Sequence, residues 1–342
     1  MQDDLPTPIP DNHLPGLPLE QGLTFNQPPP PYRPEPKVRL ILLVQLLLFI
    51  LFLLLGWLLF QLISAVAGWD SSNVLLGKLS ADAPPSERWQ MRLFLGLSSP
   101  LPFVAAGLAT AWIFYRRVSA GFPGWRDYLA MRHWPSPGRV GQACLLLLVA
   151  MPLVLFLLMV SKLLPMPELF HSMEESTNEM LKGLLQMDSI WELLANLLLI
   201  ALLPALGEEL VFRGVLQQQL MRRIANPWVA IVVTAAIFSA IHGQFEGFLS
   251  RLLLGFLLGW LYWRTRNLWV AVAAHFFNNG LQVVGQYLFH REISTVDLEE
   301  DVQVPWFAAL LSALLVIGVM RWIDRQREAG EQVEIINNQE VK

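Results

Sequence analysis

Three groups of polar residues stand in stretches otherwise fit for lipid, and their types are those of hydrolytic chemistry. The run GEELVFRG carries Glu208, Glu209 and Arg213; FSAIH carries Phe238 and His242; HFFNN carries His275, Asn278 and Asn279. An ionisable side chain at bilayer depth costs on the order of a few kcal/mol, so it is expected to face other protein or a water-filled cavity. Glu209 and Arg213 are four apart, in the favourable order for an ion pair on one helical face. Glu208 is then turned by about 100° and has no partner in its own helix, which makes it the better candidate for chemistry. His275 and Asn279, also four apart, present an imidazole and a carboxamide to the same space.

A carboxylate, two imidazoles and an amide suit the hydrolysis of an acyl bond. A glutamate can activate water as general base, with a nearby histidine sharing or shuttling its proton. A histidine and an asparagine can donate to an oxyanion forming on the attacked carbonyl. Glu208, His242 and His275 are equally a possible set of zinc ligands, which would lower the pKa of a bound water to about 7. Both chemistries remain open at this level.

The elements that must position these groups are helices in a membrane. Of 342 residues, 54% are hydrophobic and 15% charged, against about 25% charged in an average soluble domain. A net charge of −4 without a long basic run excludes nucleic acid as a partner. The single cysteine, Cys144, excludes an intrachain disulfide framework and a cysteine-based metal cage, and reads as a small core residue. A bilayer core about 30 Å thick needs about 20 apolar residues per helix. Eight stretches are candidates: Leu40–Ala65, Leu93–Tyr115, Val140–Leu163, Trp191–Leu220, Trp228–His242, Phe248–Trp263, Leu268–Phe289 and Trp306–Trp322. The expected fold is therefore all-α, a polytopic transmembrane helical bundle of about eight spans.

Basic residues orient the bundle, because cytoplasmic loops carry the excess of lysine and arginine. Arg33, Lys37 and Arg39 precede the first span; Arg116, Arg117, Arg126, Arg132 and Arg139 follow the second; Arg222 and Arg223, Arg264 and Arg266, and Arg321, Arg325 and Arg327 follow the fourth, sixth and eighth. The other connections, such as Glu168–Asp188 and Asp297–Asp301, are acidic or poor in basic residues. The pattern predicts a multi-pass plasma-membrane protein with both termini cytoplasmic, and its simple loops suit a bacterial inner membrane. Residues 1–38 read as a disordered Pro-rich tail, 39–323 as the bundle with its functional core at 191–289, and 324–342 as a second cytoplasmic tail. The segment 167–187 reads as an interfacial helix or a solvated loop. Glu192 reads as an interfacial charge, and the Trp residues near span ends as interfacial anchors. Depth along the helices, at about 1.5 Å per residue from the basic ends, comes to about 21 Å for Glu208, 22 for His242, 18 for Asn279 and 12 for His275. The four fall within one layer of the bilayer.

In these three motifs the chain resembles the CPBP family of type II CAAX prenyl endopeptidases and their bacterial relatives. The family pattern EExxxR, FxxxH, HxxxN stands here as Glu208-Glu209-Leu-Val-Phe-Arg213, Phe238-Ser-Ala-Ile-His242 and His275-Phe-Phe-Asn-Asn279, over about 191–289. The resemblance implies an intramembrane protease in which Glu208 activates water with His242 as partner. It implies His275 and Asn279 as the oxyanion-stabilising pair, and Glu209, Arg213 and Phe238 in support. The family is described both as zinc-dependent and as using a metal-independent glutamate. The implied partners are membrane lipid and a membrane-associated protein or peptide substrate, prenylated in the eukaryotic case. The rival reading is a non-catalytic membrane protein, a scaffold, immunity factor or transporter that keeps a protease-like polar core. A transporter would show paired broken helices, which the sequence does not signal.

Overall fold

A computed structural model describes residues 36–80, 82–116, 124–165, 168–294 and 303–340. The proline-rich segment up to residue 35 and the acidic run Asp297–Asp301 lie outside the described residues. Those described form helices and no strand. They are α1 (Val38–Ala67), α2 (Ser72–Leu75), α3 (Pro85–Ser98), α4 (Pro100–Tyr115), α5 (Trp125–Tyr128), α6 (Pro137–Lys162) and α7 (Glu168–Leu185). A long helix, α8 (Ile190–Met221), is followed by α9 (Pro227–Ile241), α10 (Phe248–Thr265), α11 (Leu268–His290) and α12 (Trp306–Glu340).

Five spans are long and apolar enough to cross a membrane: α1, the α3–α4 pair, α6, α8 and α12 up to Gln326. The fifth to seventh expected spans are present as helices α9, α10 and α11, but α9 is short and the other two carry more polar residues. The reason is visible in the packing. Leu257 to Tyr262 of α10 are all buried, as are Leu268, Val270, Ala271, Val272 and Ala274 of α11. A helix sheathed by protein can carry polar groups that lipid would reject. By contrast α1 exposes Leu43, Leu47, Leu54, Leu58 and Leu62, as a lipid-facing helix must.

Local sequence sets the helix ends around the polar groups. Asn226 and Asn267 cap α9 and α11, their Oδ1 atoms accepting from the Trp228 and Trp269 amides at 3.0 and 2.9 Å. Pro227 stands at the first position of α9, where its missing N–H costs nothing. Gly243, at φ 65°, ends that helix and starts the turn into α10. The second span is broken at Ser99 (φ −134°, ψ −80°) before Pro100, and no matching break stands in the described half that carries the motifs. Two stretches of α8, Leu197–Leu202 and Leu210–Gln217, are π-helical.

Close approach between spans depends on glycine. A Cβ at Gly207 would lie 2.7 Å from Phe103 Cβ and 3.0 Å from the Pro100 carbonyl oxygen. Thus α8 is pressed against α4 one residue before Glu208.

Two expectations are corrected here. Glu192 is no interfacial charge: it is buried, and its carboxylate receives Arg88 Nε at 3.0 Å and Arg92 Nη1 at 2.8 Å. Arg92 also donates to Asn196 Oδ1 (2.8 Å) and to the Leu184 carbonyl (3.0 Å), while Arg88 pairs with Asp188 as well. Both arginines precede the expected start of the second span at Leu93, so the sequence reading passed over them. Cys144 is only half-buried on α6; its neighbours Ala143, Leu146 and Leu147 form the core there. The segment after residue 167, for which the sequence allows an interfacial helix or a loop, is helix α7, with Glu174 buried.

Removing one partner from a buried ion cluster leaves the others uncompensated, at about 3–5 kcal/mol. Glu192→Ala is therefore expected to lower stability by about that amount, read as the thermal unfolding midpoint in detergent. Glu192→Gln should lose nearly as much, and an unshifted midpoint for both would show that α3 and α8 are held by packing alone.

Candidate active site

Four helices meet at the motif residues. Glu208 and Glu209 lie on an α-helical stretch of α8, and Arg213 on the π-helical stretch that follows. Because π-helical turns close on i→i+5 bonds, this stretch shifts the facing of later side chains relative to a regular helix. His242 terminates α9, and His275 and Asn279 lie mid-way along α11.

The ion pair is enclosed. Glu209 and Arg213 side chains are both 0% exposed, and Arg213 Nη1 donates to Glu209 Oε1 at 2.6 Å. Arg213 Nη2 donates to the Gly255 carbonyl at 2.9 Å. Its guanidinium stands 4.9 Å from the centre of the Phe238 ring. Phe238 in turn meets His242 edge-on at 4.8 Å and His275 at 6.1 Å. One turn along, Gln217 Nε2 donates to the Gly259 carbonyl at 2.9 Å. Gln217, Gly255 and Gly259 were missed by the sequence reading. The small-xxx-small spacing of Gly255 and Gly259 is the signal that marks such close helix contact.

Glu208 is the accessible carboxylate, with 16% of its side chain exposed. Its Oε2 lies 4.0 Å from His242 Nε2 and 3.8 Å from His275 Nε2. The far side of each ring fixes its tautomer. His242 Nδ1 is 2.7 Å from the Phe238 carbonyl oxygen, which can only accept, so Nδ1 carries the hydrogen. His275 Nδ1 is 2.9 Å from Glu209 Oε1, the oxygen already paired with Arg213, and it donates there too. In the neutral rings both Nε2 atoms therefore present lone pairs toward Glu208. Three acceptors face one another across gaps too long for direct bonds, which is a seat for a donor such as water.

The same lone pairs suit zinc in kind, each imidazole being oriented from behind by an acceptor. They do not fit it in place. Ligand atoms about 2.0–2.1 Å from a tetrahedral zinc stand about 3.4 Å apart, nearer than the 3.8 and 4.0 Å found. Among the described residues no group of three His, Cys, Asp or Glu side chains is gathered to hold a metal ion.

Asn279 is half-buried one turn beyond His275. Its Oδ1 accepts from Asn278 Nδ2 at 3.1 Å, which leaves the Asn279 amide N–H groups as its donors. This bond also gives Asn278 a place: it orients its neighbour.

Fold and site together define a multi-pass helical membrane protein with a carboxylate–imidazole centre enclosed by its helices. Residues 190–281 match the family model of type II CAAX prenyl endopeptidase Rce1-like proteins, and the match bears out the resemblance carried by the three motifs. No curated protein and no solved structure matches the chain.

Arg213→Met would leave Glu209 ionised and buried, and is expected to destabilise by about 3–5 kcal/mol. Adding Glu209→Gln should restore much of that loss, since the pair is coupled. Additive losses in the double-mutant cycle would disprove the coupling.

Proposed function

We propose that the protein is an intramembrane endopeptidase that hydrolyses a peptide bond in a membrane-associated protein or peptide, of the prenylated CAAX type in keeping with the matched family. The observation that carries this reading is the Glu208 carboxylate facing two imidazole lone pairs at 3.8 and 4.0 Å. A water held there donates its hydrogens to Glu208 and to one Nε2, which turns its own lone pair outward.

Glu208 takes the proton as the water oxygen bonds to the scissile carbonyl carbon, whose π electrons move to its oxygen. Asn279 donates to that oxyanion. His275 has an N–H to give at Nε2 only as imidazolium, its Nδ1–H staying with Glu209. When the oxyanion collapses, the carbon–nitrogen bond breaks and the proton passes to the leaving amine. His242 shares the proton with Glu208 in between. In this scheme no step passes through a metal. The proposed setting is the plasma membrane with both termini cytoplasmic, supported by the alternation of basic residues.

The test is cleavage of a panel of fluorogenic peptides, farnesylated CAAX peptides included, by purified protein. Loss of a general base costs about 10²–10⁴ in rate. Glu208→Gln should thus lower kcat at least about a hundredfold with the unfolding midpoint retained. Unchanged cleavage would sink the mechanism, loss with chelator and recovery with zinc would move it to a metal held by Glu208, His242 and His275, and no cleavage by either protein would favour the scaffold or transport reading.

A further inference from the structure

Five arginines of the described residues are withdrawn from full exposure: Arg88, Arg92, Arg213, Arg251 and Arg264. Four have a carboxylate within 4 Å. Arg88 and Arg92 share Glu192, Arg213 has Glu209, and Arg264 has Asp324 at 2.7 Å. Arg251 is the exception. Its Nη1 donates to Gln244 Oε1 at 2.8 Å and its Nη2 to the Gln244 main-chain oxygen at 2.5 Å, both neutral acceptors. Its Nε is buried without a partner.

The guanidinium has a built seat. It lies against the backbone of Gly247, where any Cβ would collide with Cζ and both terminal nitrogens. The seat also adjoins the chemistry. Arg251 stands in the first turn of α10, and Ser239 in the last turn of α9 donates to the Phe248 carbonyl at 2.7 Å, which ties those two turns together. His242 ends α9 on that side, and Glu208 and Glu174 both lie within Coulombic reach of the guanidinium. Glu174 also accepts from the Glu246 amide at 3.2 Å, and neither carboxylate comes within 4 Å of the guanidinium.

We propose that Arg251 binds the free C-terminal carboxylate of the peptide that enters this site. An arginine fork matches a carboxylate in shape and charge, and this one forms no direct ion pair with either nearby carboxylate. The fork does not act on the scissile bond. This assignment rests on the peptidase reading for its ligand class, and its test uses binding so that the two stand or fall separately.

The probe is an N-terminally labelled, farnesylated CAAX pentapeptide, as free acid and as C-terminal amide. Binding is measured by fluorescence anisotropy in lipid nanodiscs, with the Glu208→Gln variant as the non-cleaving background. The acid should bind at least about tenfold more tightly than the amide. Adding Arg251→Gln should remove that preference by weakening the acid alone, and Gly247→Ala, which pushes the guanidinium aside but keeps its charge, should reduce it. Equal binding of acid and amide to the Glu208→Gln background, no binding of either, or an equal loss of both on changing Arg251 overturns the assignment. A preference for the acid in a protein that hydrolyses no peptide would keep the carboxylate seat and sink the peptidase reading.

Discussion

The ion pair between Glu209 and Arg213 has no exposed atom on either side chain, and the arrangement of the centre follows from satisfying it. Burying each ion costs several kcal/mol, and mutual attraction offsets this only when the remaining hydrogen-bonding capacity is also met. Arg213 meets part of it by reaching across to the Gly255 carbonyl, and Glu209 by receiving His275 at Oε1, while Arg213 Nε and Glu209 Oε2 stay buried without a hydrogen-bond partner. The pair therefore binds α8 to α10 and α11 and fixes the ring of His275. Committed to two donors through Oε1, Glu209 is poorly placed to exchange a proton with substrate. Chemistry falls to its neighbour, which keeps 16% of its side chain open.

A second charge cluster stands on the same helix at Glu192, seventeen residues before Glu209. At about 1.5 Å per residue the two are separated by about 26 Å, most of the thickness of a bilayer core. Helix α8 is thus held by ionic contacts near one face, to α3, and in the interior, to α10 and α11. Between them it relies on small residues and on contacts such as Gly207 against Phe103. A helix fixed at two depths cannot slide or rotate freely, which suits a carboxylate that must meet two imidazoles from other helices.

Much of this was legible in the sequence because a membrane makes polar residues conspicuous. The i,i+4 spacing of Glu209 and Arg213 announced their pairing, and counting depth brought Glu208, His242 and His275 to one layer. What the sequence hid has physical causes. Hydropathy assumes that a span faces lipid, so α10 and α11, surrounded by protein, fall short of the test although they are helices, while α9, which exposes Trp228, Val229 and Val232, falls short by its length alone. A regular 3.6-residue period carries no sign of the π-helical turns in α8. Arg88 and Arg92 were overlooked because an arginine near a span end ordinarily reaches water, whereas here both are buried by Glu192. The donor expected at His275 was read from residue type, but its tautomer depends on Glu209, which only the fold brings behind Nδ1.

That tautomer has a consequence for turnover under the proposed reaction. With both Nε2 atoms bare, the resting centre holds acceptors only and draws in a donor, which water supplies. Hydrolysis then replaces a neutral amide with a carboxylate beside Glu208, and two like charges in a site of low dielectric repel. The cleaved acyl end is therefore held less well than the intact chain that preceded it. Binding determinants remote from the cut have to supply affinity for substrate without retaining that product, a division of labour that favours recognition of the chain's other end.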